Sequence, residues 1–211
     1  MKLPSPLYVI LDRTAARGRD LGWLLEAVLA GGCRLVQLRE KDMPLAELYP
    51  LASGLRERCR TAGATFIVND RADLALAVAA DGLHVGQEDL PVPAARRLLA
   101  PGMILGVSTH DRRQAQQARA DGADYVAVGS IFPTATKPGF HLVGPELIRR
   151  LRPDIPVPLV AIGGITVDNV AEVIAAGADG AAVISAICAA SDPEQATRRF
   201  LERIEAARRA R

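Results

Sequence analysis

The chain has 211 residues, 49% of them hydrophobic, and its 26 basic and 24 acidic side chains leave a formal net charge of +2. This length and apolar content suit one large α/β domain spanning 1–211, and charges of both signs scattered along the chain exclude the basic stripe that tracks nucleic acid. The three cysteines, Cys33, Cys59 and Cys188, lie far apart with no C-x-x-C pair, so neither a disulfide framework nor a zinc site is indicated and a reducing cytoplasm is expected.

The first segment, "MKLPSPLYVILD", has a short apolar run interrupted early by two prolines and ended by Asp12, which predicts neither a signal peptide nor a membrane span. Short Val-, Ile- and Leu-rich runs then alternate with longer Ala-, Leu- and Arg-rich stretches of helical period. The strand candidates in order are "LYVILD", "LVQLREK", "TFIVND", "GLHVGQ", "ILGVST", "YVAVGSIF", "VPLVAIGG" and "GAAVISAI". Eight such units predict a (β/α)8 TIM barrel with its function at the carboxyl ends of the strands. The alternative, an open doubly wound sheet, calls for a Gly-rich loop after the first strand, and "LDRTAARGRD" contains no G-x-G-x-x-G. A refrain, "AADGLHV", "ADGADYVAV" and "AAGADGAAV", closes three helices just before a strand, and its glycines are read as supplying the positive φ that helix ends favour. The terminal "RRFLERIEAARRAR" reads as a helix with a solvated basic face, its Phe200, Leu201 and Ile204 recurring at helical spacing.

Chemistry is expected at four strand ends. In "QLREK", Gln37, Arg39 and Lys41 alternate onto one side of the second strand while Leu38 and Glu40 face the other, so an amide and two cations converge on what suits a highly charged anion such as a diphosphate. The third and fourth strands end in "FIVNDRADLAL" and "HVGQEDLP", delivering Asn69, Asp70, Glu88 and Asp89, with Asp73 placed to cap the following helix. Asp70 and Asp89 beside a basic strand end form a donor pair for Mg²⁺, although Asp89 is equally placed to cap a helix starting at Pro91. Ser108, ending the fifth strand, is placed either to donate to a leaving phosphate or to cap a helix. His110 reads as a solvated loop histidine, His84 as a hydrogen-bonded core histidine and Cys188 as a small core residue.

The remaining anion ligands are expected on the far side of the mouth. Gly163 and Gly164 after the seventh strand, with Ser185 after the eighth, suit backbone approach to a phosphate. The preceding "PTATKPG" carries Lys137, one of only three lysines (Lys2, Lys41, Lys137) in a chain that otherwise uses arginine, and reads as a polar flap over a phosphorylated ligand. Two anion sites, one metal-assisted and one metal-free, point to an enzyme that joins or exchanges two phosphorylated small molecules.

With "QLREKD", "FIVNDRADLAL", "DGLHVGQEDLP", "LGVSTH", "ADYVAVGSIFPTATKPG", "VAIGGIT" and "DGAAVISAI" in order, the chain closely resembles the thiamine phosphate synthase family over essentially its whole length. The resemblance implies a barrel that joins hydroxymethylpyrimidine diphosphate to hydroxyethylthiazole phosphate by dissociative loss of diphosphate, with no general base required. It further implies that Gln37, Leu38, Arg39, Glu40, Lys41 and Asn69 hold the pyrimidine diphosphate, that Asp70 and Asp89 bind Mg²⁺, and that Ser108 contacts the diphosphate side. The thiazole phosphate would lie on Thr134, Ala135, Thr136, Lys137, Gly164, Ile184 and Ser185. Catalysis would then rest on Arg39, Lys41, Ser108 and Lys137 with the metal. A thiazole tautomerase, which lacks the paired metal aspartates, and a non-catalytic barrel that senses a phosphorylated metabolite are the competing readings.

Overall fold

The computed structural model describes residues 2–134 and 142–211. Eight strands, β1 (Leu7–Asp12), β2 (Leu35–Arg39), β3 (Thr65–Asn69), β4 (Gly82–Val85), β5 (Ile104–Thr109), β6 (Tyr125–Val128), β7 (Leu159–Ile162) and β8 (Gly180–Val183), pair in parallel in sequence order, and β8 returns to β1 to close a barrel. The (β/α)8 TIM barrel read from the alternating runs is therefore the fold. Several strands stop short of their apolar runs: "YVAVGSIF" pairs only through Val128, and in "GAAVISAI" the chain turns at Ile184 into a short helix, Ser185–Cys188. No helix among the described residues is long and apolar enough to cross a membrane.

Both faces of the sheet are covered, which is why its strands read as near-continuous apolar runs rather than clean alternation. Alternation survives in which neighbours each side chain meets. Leu7, Val9, Leu11, Val36, Leu38, Phe66 and Val68 pack outward against the helices, whereas Tyr8, Ile10, Leu35, Ile67, Tyr125, Ala127, Val160 and Ala182 form a separate inner cluster. The last helix, Pro193–Arg209, seats Phe200 and Ile204 in the outer shell, as its spacing predicts.

The refrain turns out to be an aspartate device more than a glycine one. Asp81, Asp124 and Asp179 each precede an even-numbered strand and accept the backbone N–H of Phe66, Leu105 and Leu159 in the odd strand before it, at 2.7, 2.8 and 2.8 Å. Each also pairs with an arginine from or just after the helix that precedes that odd strand: Arg56, Arg96 and Arg152, at 3.0, 2.5 and 2.6 Å. Gly122 and Gly177 do adopt φ of 100° and 114°, but in the first copy the left-handed residue is Ala79, at 48°. The pattern is broken ahead of β2, where Arg34 stands in the aspartate's place and donates to Leu29 O and Cys33 O, both at 2.8 Å. These clamps close the bottom of the barrel and leave its opposite rim to the chemistry-bearing loops.

Candidate active site at the barrel mouth

A cavity of about 450 Å³ opens at the carboxyl ends of the strands, lined on one side by Gln37, Arg39, Asn69, His84 and Ser108 and on the other by Thr134, Gly164, Ile184 and Ser185. A second, adjoining cavity runs along Asp12, Arg13, Glu40 and Lys41. Most of the residues singled out at the strand ends thus share one mouth. Ala135, Thr136 and Lys137, with His141, lie outside the described residues.

On β2 the alternation places side chains as expected. Gln37 is buried inside the barrel and Leu38 is buried in the outer shell, so Leu38 has only its backbone to offer a ligand at the mouth. Glu40 is engaged with the Arg13 guanidinium at 3.0 Å and accepts the Asp42 N–H at 3.0 Å. Arg39 pairs closely with Asp12, a residue the sequence reading passed over. Asp12 is 3% exposed, ends β1 opposite Arg39 in the strand register, and also accepts the Ala15 N–H at 2.9 Å. Its signal was present: it is two residues beyond Ile10 and so on the inner face. A buried carboxylate there requires a cationic partner. Arg17, at φ 53° on the short turn after β1, likewise lines both cavities and had no motif to mark it.

The metal candidates meet. Asp70 takes the left-handed conformation, φ 60°, immediately after β3, an unusual place for a non-glycine residue. Its N–H donates to His84 O at 2.8 Å, so the chain turns sharply while held to β4. The turn brings its carboxyl within hydrogen-bonding reach of Asp89 and 3.4 Å from Lys41 Nζ. Burial and then the neighbouring Asp89 push the Asp70 carboxyl above the usual carboxylate range, against the opposing pull of Lys41. Asp89 Oδ2 accepts the Gly86 N–H at 2.7 Å, and a Cβ on Gly86 would stand only 2.9 Å from that oxygen. Neither carboxylate is a helix cap: the helix Val92–Leu98 begins after Pro91 with no side-chain cap. The helix Ala72–Ala77 also has none, and Asp73 pairs with Arg71 at 2.6 Å. Glu88 is exposed.

This donor set fits Mg²⁺. Two carboxylates drawn together beside one ammonium are under-neutralised, and a small divalent cation relieves that repulsion. Mg²⁺ commonly takes one or two protein carboxylates and fills its octahedron with water and substrate oxygens.

On the opposite arc, Gly163 and Gly164 have φ of 100° and 64°. Their role goes beyond leaving room for a ligand. A Cβ on Gly164 would lie 2.4 Å from Pro133 O, and one on Gly163 2.1 Å from Ser130 Oγ, so the pair lets the loop after β7 lie against the segment after β6. Ile131 N–H donates to Ile162 O at 3.0 Å and Phe132 N–H to Gly163 O at 2.9 Å across that seam. Thr134 follows directly. Ile184 turns its side chain against the inner apolar cluster, and exposed Ser185 opens the short helix at the rim.

His84 is the hydrogen-bonded core histidine expected, whereas His110 is half-buried and engaged with the backbone rather than solvated. His110 Nδ1 lies 2.6 Å from Gly129 O. His84 is hydrogen-bonded within the barrel, with Ser108 Oγ 2.8 Å from Nε2 and the Tyr125 hydroxyl 2.8 Å from Nδ1. Ser108 therefore caps nothing; the helix Arg112–Ala120 is capped by Asp111, which accepts the Gln114 N–H at 2.7 Å. Cys188 is buried, donates to Ile10 O, and burial pushes its thiol to about 11.

Comparison with known proteins bears on this site. The sequence model of the family described as thiamine monophosphate synthase matches residues 7–187. The thiamine-phosphate synthase of Moorella thermoacetica is 53% identical over 203 residues, covering 96% of this chain and 97% of its own length. That of Chloroflexus aurantiacus is 48% identical over 195 residues, covering 92% and 90%. The solved structure of thiamine phosphate pyrophosphorylase from Pyrococcus furiosus superposes with a TM-score of 0.88 at 40% identity, over 95% of this chain and 96% of that one.

Proposed function

The chain belongs to the thiamine monophosphate synthase family, and from that premise we propose how its barrel mouth works. It is a transferase that joins hydroxymethylpyrimidine diphosphate to hydroxyethylthiazole phosphate, giving thiamine phosphate and diphosphate. The observation that carries the assignment of roles is the division of one mouth into two arcs, a polar one where Gln37, Arg39, Asn69, His84 and Ser108 line the cavity at the ends of β2–β5, and one formed by Gly163 and Gly164 after β7 with Ile184 and Ser185 after β8.

On the polar arc, Arg39 and Lys41 bind the diphosphate, and Ser108 offers it a hydroxyl. Gln37 and Asn69 orient the pyrimidine from the inner wall. Asp12 holds the Arg39 guanidinium at the rim so that its remaining N–H donors stay in the mouth. Asp70 and Asp89 would hold Mg²⁺, which when bound would neutralise charge building on the departing diphosphate. The bond from the pyrimidine methylene carbon to the diphosphate oxygen breaks with both electrons going to oxygen, and the thiazole nitrogen supplies the pair that forms the new C–N bond. No proton moves in either event, which accounts for a mouth rich in anion ligands whose histidines are committed to the protein. On the other arc, backbone N–H groups near Gly164 and Ser185, with Thr134, grip the thiazole phosphate and align its ring, and Thr136 and Lys137 are assigned to the same phosphate from the sequence alone. Three buried, unpaired cysteines accord with a reducing cytoplasmic setting.

The test is Asp70→Asn and Asp89→Asn. Each should lower turnover by at least about 100-fold, with partial rescue by excess Mg²⁺ through mass action. Calorimetric binding of thiazole phosphate should persist, since its ligands follow β6 to β8. Wild-type turnover in either variant, or loss of thiazole phosphate binding in a folded one, would overturn the division of the mouth.

A further inference from the structure

Five polar side chains cross the barrel interior in an unbroken file. Gln37 Nε2 donates to the Tyr8 hydroxyl at 2.7 Å, and the Tyr8 and Tyr125 hydroxyls stand 2.9 Å apart. Tyr125 Oη then lies 2.8 Å from His84 Nδ1, and His84 Nε2 lies 2.8 Å from Ser108 Oγ. Gln37, His84 and Ser108 line the cavity, and the two fully buried phenols link them. Packing fixes the rings. Tyr125 stacks on the His84 ring at 5.6 Å between centroids and meets Tyr8 edge-on at 5.9 Å. Gly106, opposite Tyr125 in the register, is what lets that phenol lie across the neighbouring strand, because a Cβ there would be 2.2 Å from its hydroxyl oxygen.

Each phenol has one hydrogen to give, and burial raises both phenol pKa values, so each keeps it. The file therefore has a direction. Since Gln37 presents an amino group to Tyr8, the Tyr8 hydrogen goes to Tyr125 and the Tyr125 hydrogen to His84 Nδ1. Nδ1 must then be bare, Nε2 must carry the imidazole hydrogen, and that hydrogen goes to Ser108 Oγ. The Ser108 hydrogen is left to point into the cavity. The reverse direction would spend the serine hydrogen on His84 and turn only lone pairs toward an anionic ligand.

We propose that Tyr8 and Tyr125 are positioning residues for the condensation: they transmit the orientation of the Gln37 amide through a neutral, Nε2-protonated His84, and so hold the Ser108 hydroxyl as a donor to the leaving diphosphate. The kinetic part rests on the reading of Ser108 as a diphosphate ligand; the direction of the file does not. In the wild-type protein without substrate, long-range proton–nitrogen correlation spectra with ¹⁵N-labelled histidine, assigned through a His84→Gln variant, should show hydrogen on Nε2 of His84. The opposite tautomer is expected at His110, where Gly129 O accepts from Nδ1. Hydrogen on His84 Nδ1 would overturn the proposal without any variant having to fold. Tyr125→Phe keeps the ring but removes two links, so kcat should fall about tenfold or more while the KM for thiazole phosphate holds. The Tyr125→Phe, Ser108→Ala double variant should be no slower than Ser108→Ala alone, and losses that multiply would overturn the proposal. Wild-type turnover by Ser108→Ala would instead refute the diphosphate assignment of that serine, and the tautomer would still decide the file.

Discussion

Replacing Gly164 by alanine tests whether the glycine pair is there for the fold as well as for the phosphate. The native φ of 64° costs an L-residue about 1 kcal/mol or more. The new methyl would also meet two backbone oxygens, Pro133 O at 2.4 Å and Phe132 O at 2.7 Å, neither of which can swing aside as a side chain end could. Relief requires the segment after β6 to withdraw, giving up the Ile131 and Phe132 hydrogen bonds to Ile162 O and Gly163 O at about 1 kcal/mol each. Against this stands about 0.5 kcal/mol regained from a stiffer unfolded chain. The net loss is about 2–3 kcal/mol, a fall in Tm of about 5–10 °C for a chain this size. Gly18→Ala is the control: its φ of 83° carries the same kind of strain, but nothing lies within 4 Å of the added carbon. Its loss should stay near or below 1 kcal/mol. Urea titration of both variants measures the difference, and the KM for thiazole phosphate should rise in Gly164→Ala alone because Thr134 moves with the seam. If the two variants lose equal stability, the seam is not what the glycine protects.

Two further outcomes follow from charges. Lys41→Arg keeps the charge but replaces a compact ammonium 3.4 Å from Asp70 by a planar fork suited to gripping carboxylates. Turnover should drop about tenfold and more Mg²⁺ should be needed for half-maximal rate; a variant as active as the parent refutes the reasoning. Alkaline pH should destabilise the fold. Burial raises the thiols of Cys33, Cys59 (to about 12) and Cys188 (to about 11) and the phenols of Tyr8 and Tyr125. The native state then holds protons that the unfolded chain releases from about pH 8.5 for thiols and about pH 10 for phenols. This stability is intact below those values and is lost at about 1.4 kcal/mol per pH unit per group as pH rises through the folded values. Urea midpoints that stay level from pH 8 to pH 11, or that fall as steeply above pH 10 in Tyr8→Phe, would contradict it.

Much of the architecture is legible because it follows from local chemistry. Apolar runs bounded by turn residues mark all eight strands, and the two-residue period of β2 correctly separates inward Gln37 from outward Leu38. The sequence leaves a choice open where two local explanations compete for one residue. Asp89 and Ser108 both precede helices and both resemble caps, yet the first is turned toward Asp70 by its bond to Gly86 and the second toward His84. The glycines of the refrain invite an explanation by φ, and those of "VAIGGIT" one by approach to a phosphate. The deciding facts lie elsewhere, in the strand N–H that each Asp accepts and the backbone that each glycine admits.

The polar file shows most clearly why the rest was hidden. Tyr8, Gln37, His84, Ser108 and Tyr125 come from five strands, and each taken alone has an ordinary explanation: a core aromatic, a strand-end amide, a core histidine or a cap. Alternation can say that each faces inward, but which inward residues meet depends on the stagger of strands around the closed barrel, which is set by all eight registers at once. Tyr8 lies opposite Ala182 and Tyr125 opposite Gly106, so each ring has a small neighbour to extend over and the two hydroxyls reach each other. A buried tyrosine must find a partner for its hydroxyl. Two of them facing into one barrel, with an inward glutamine and an inward histidine for company, can satisfy that demand only by joining hands in sequence, and the order in which they do so ends at Ser108 and leaves its hydrogen for the mouth.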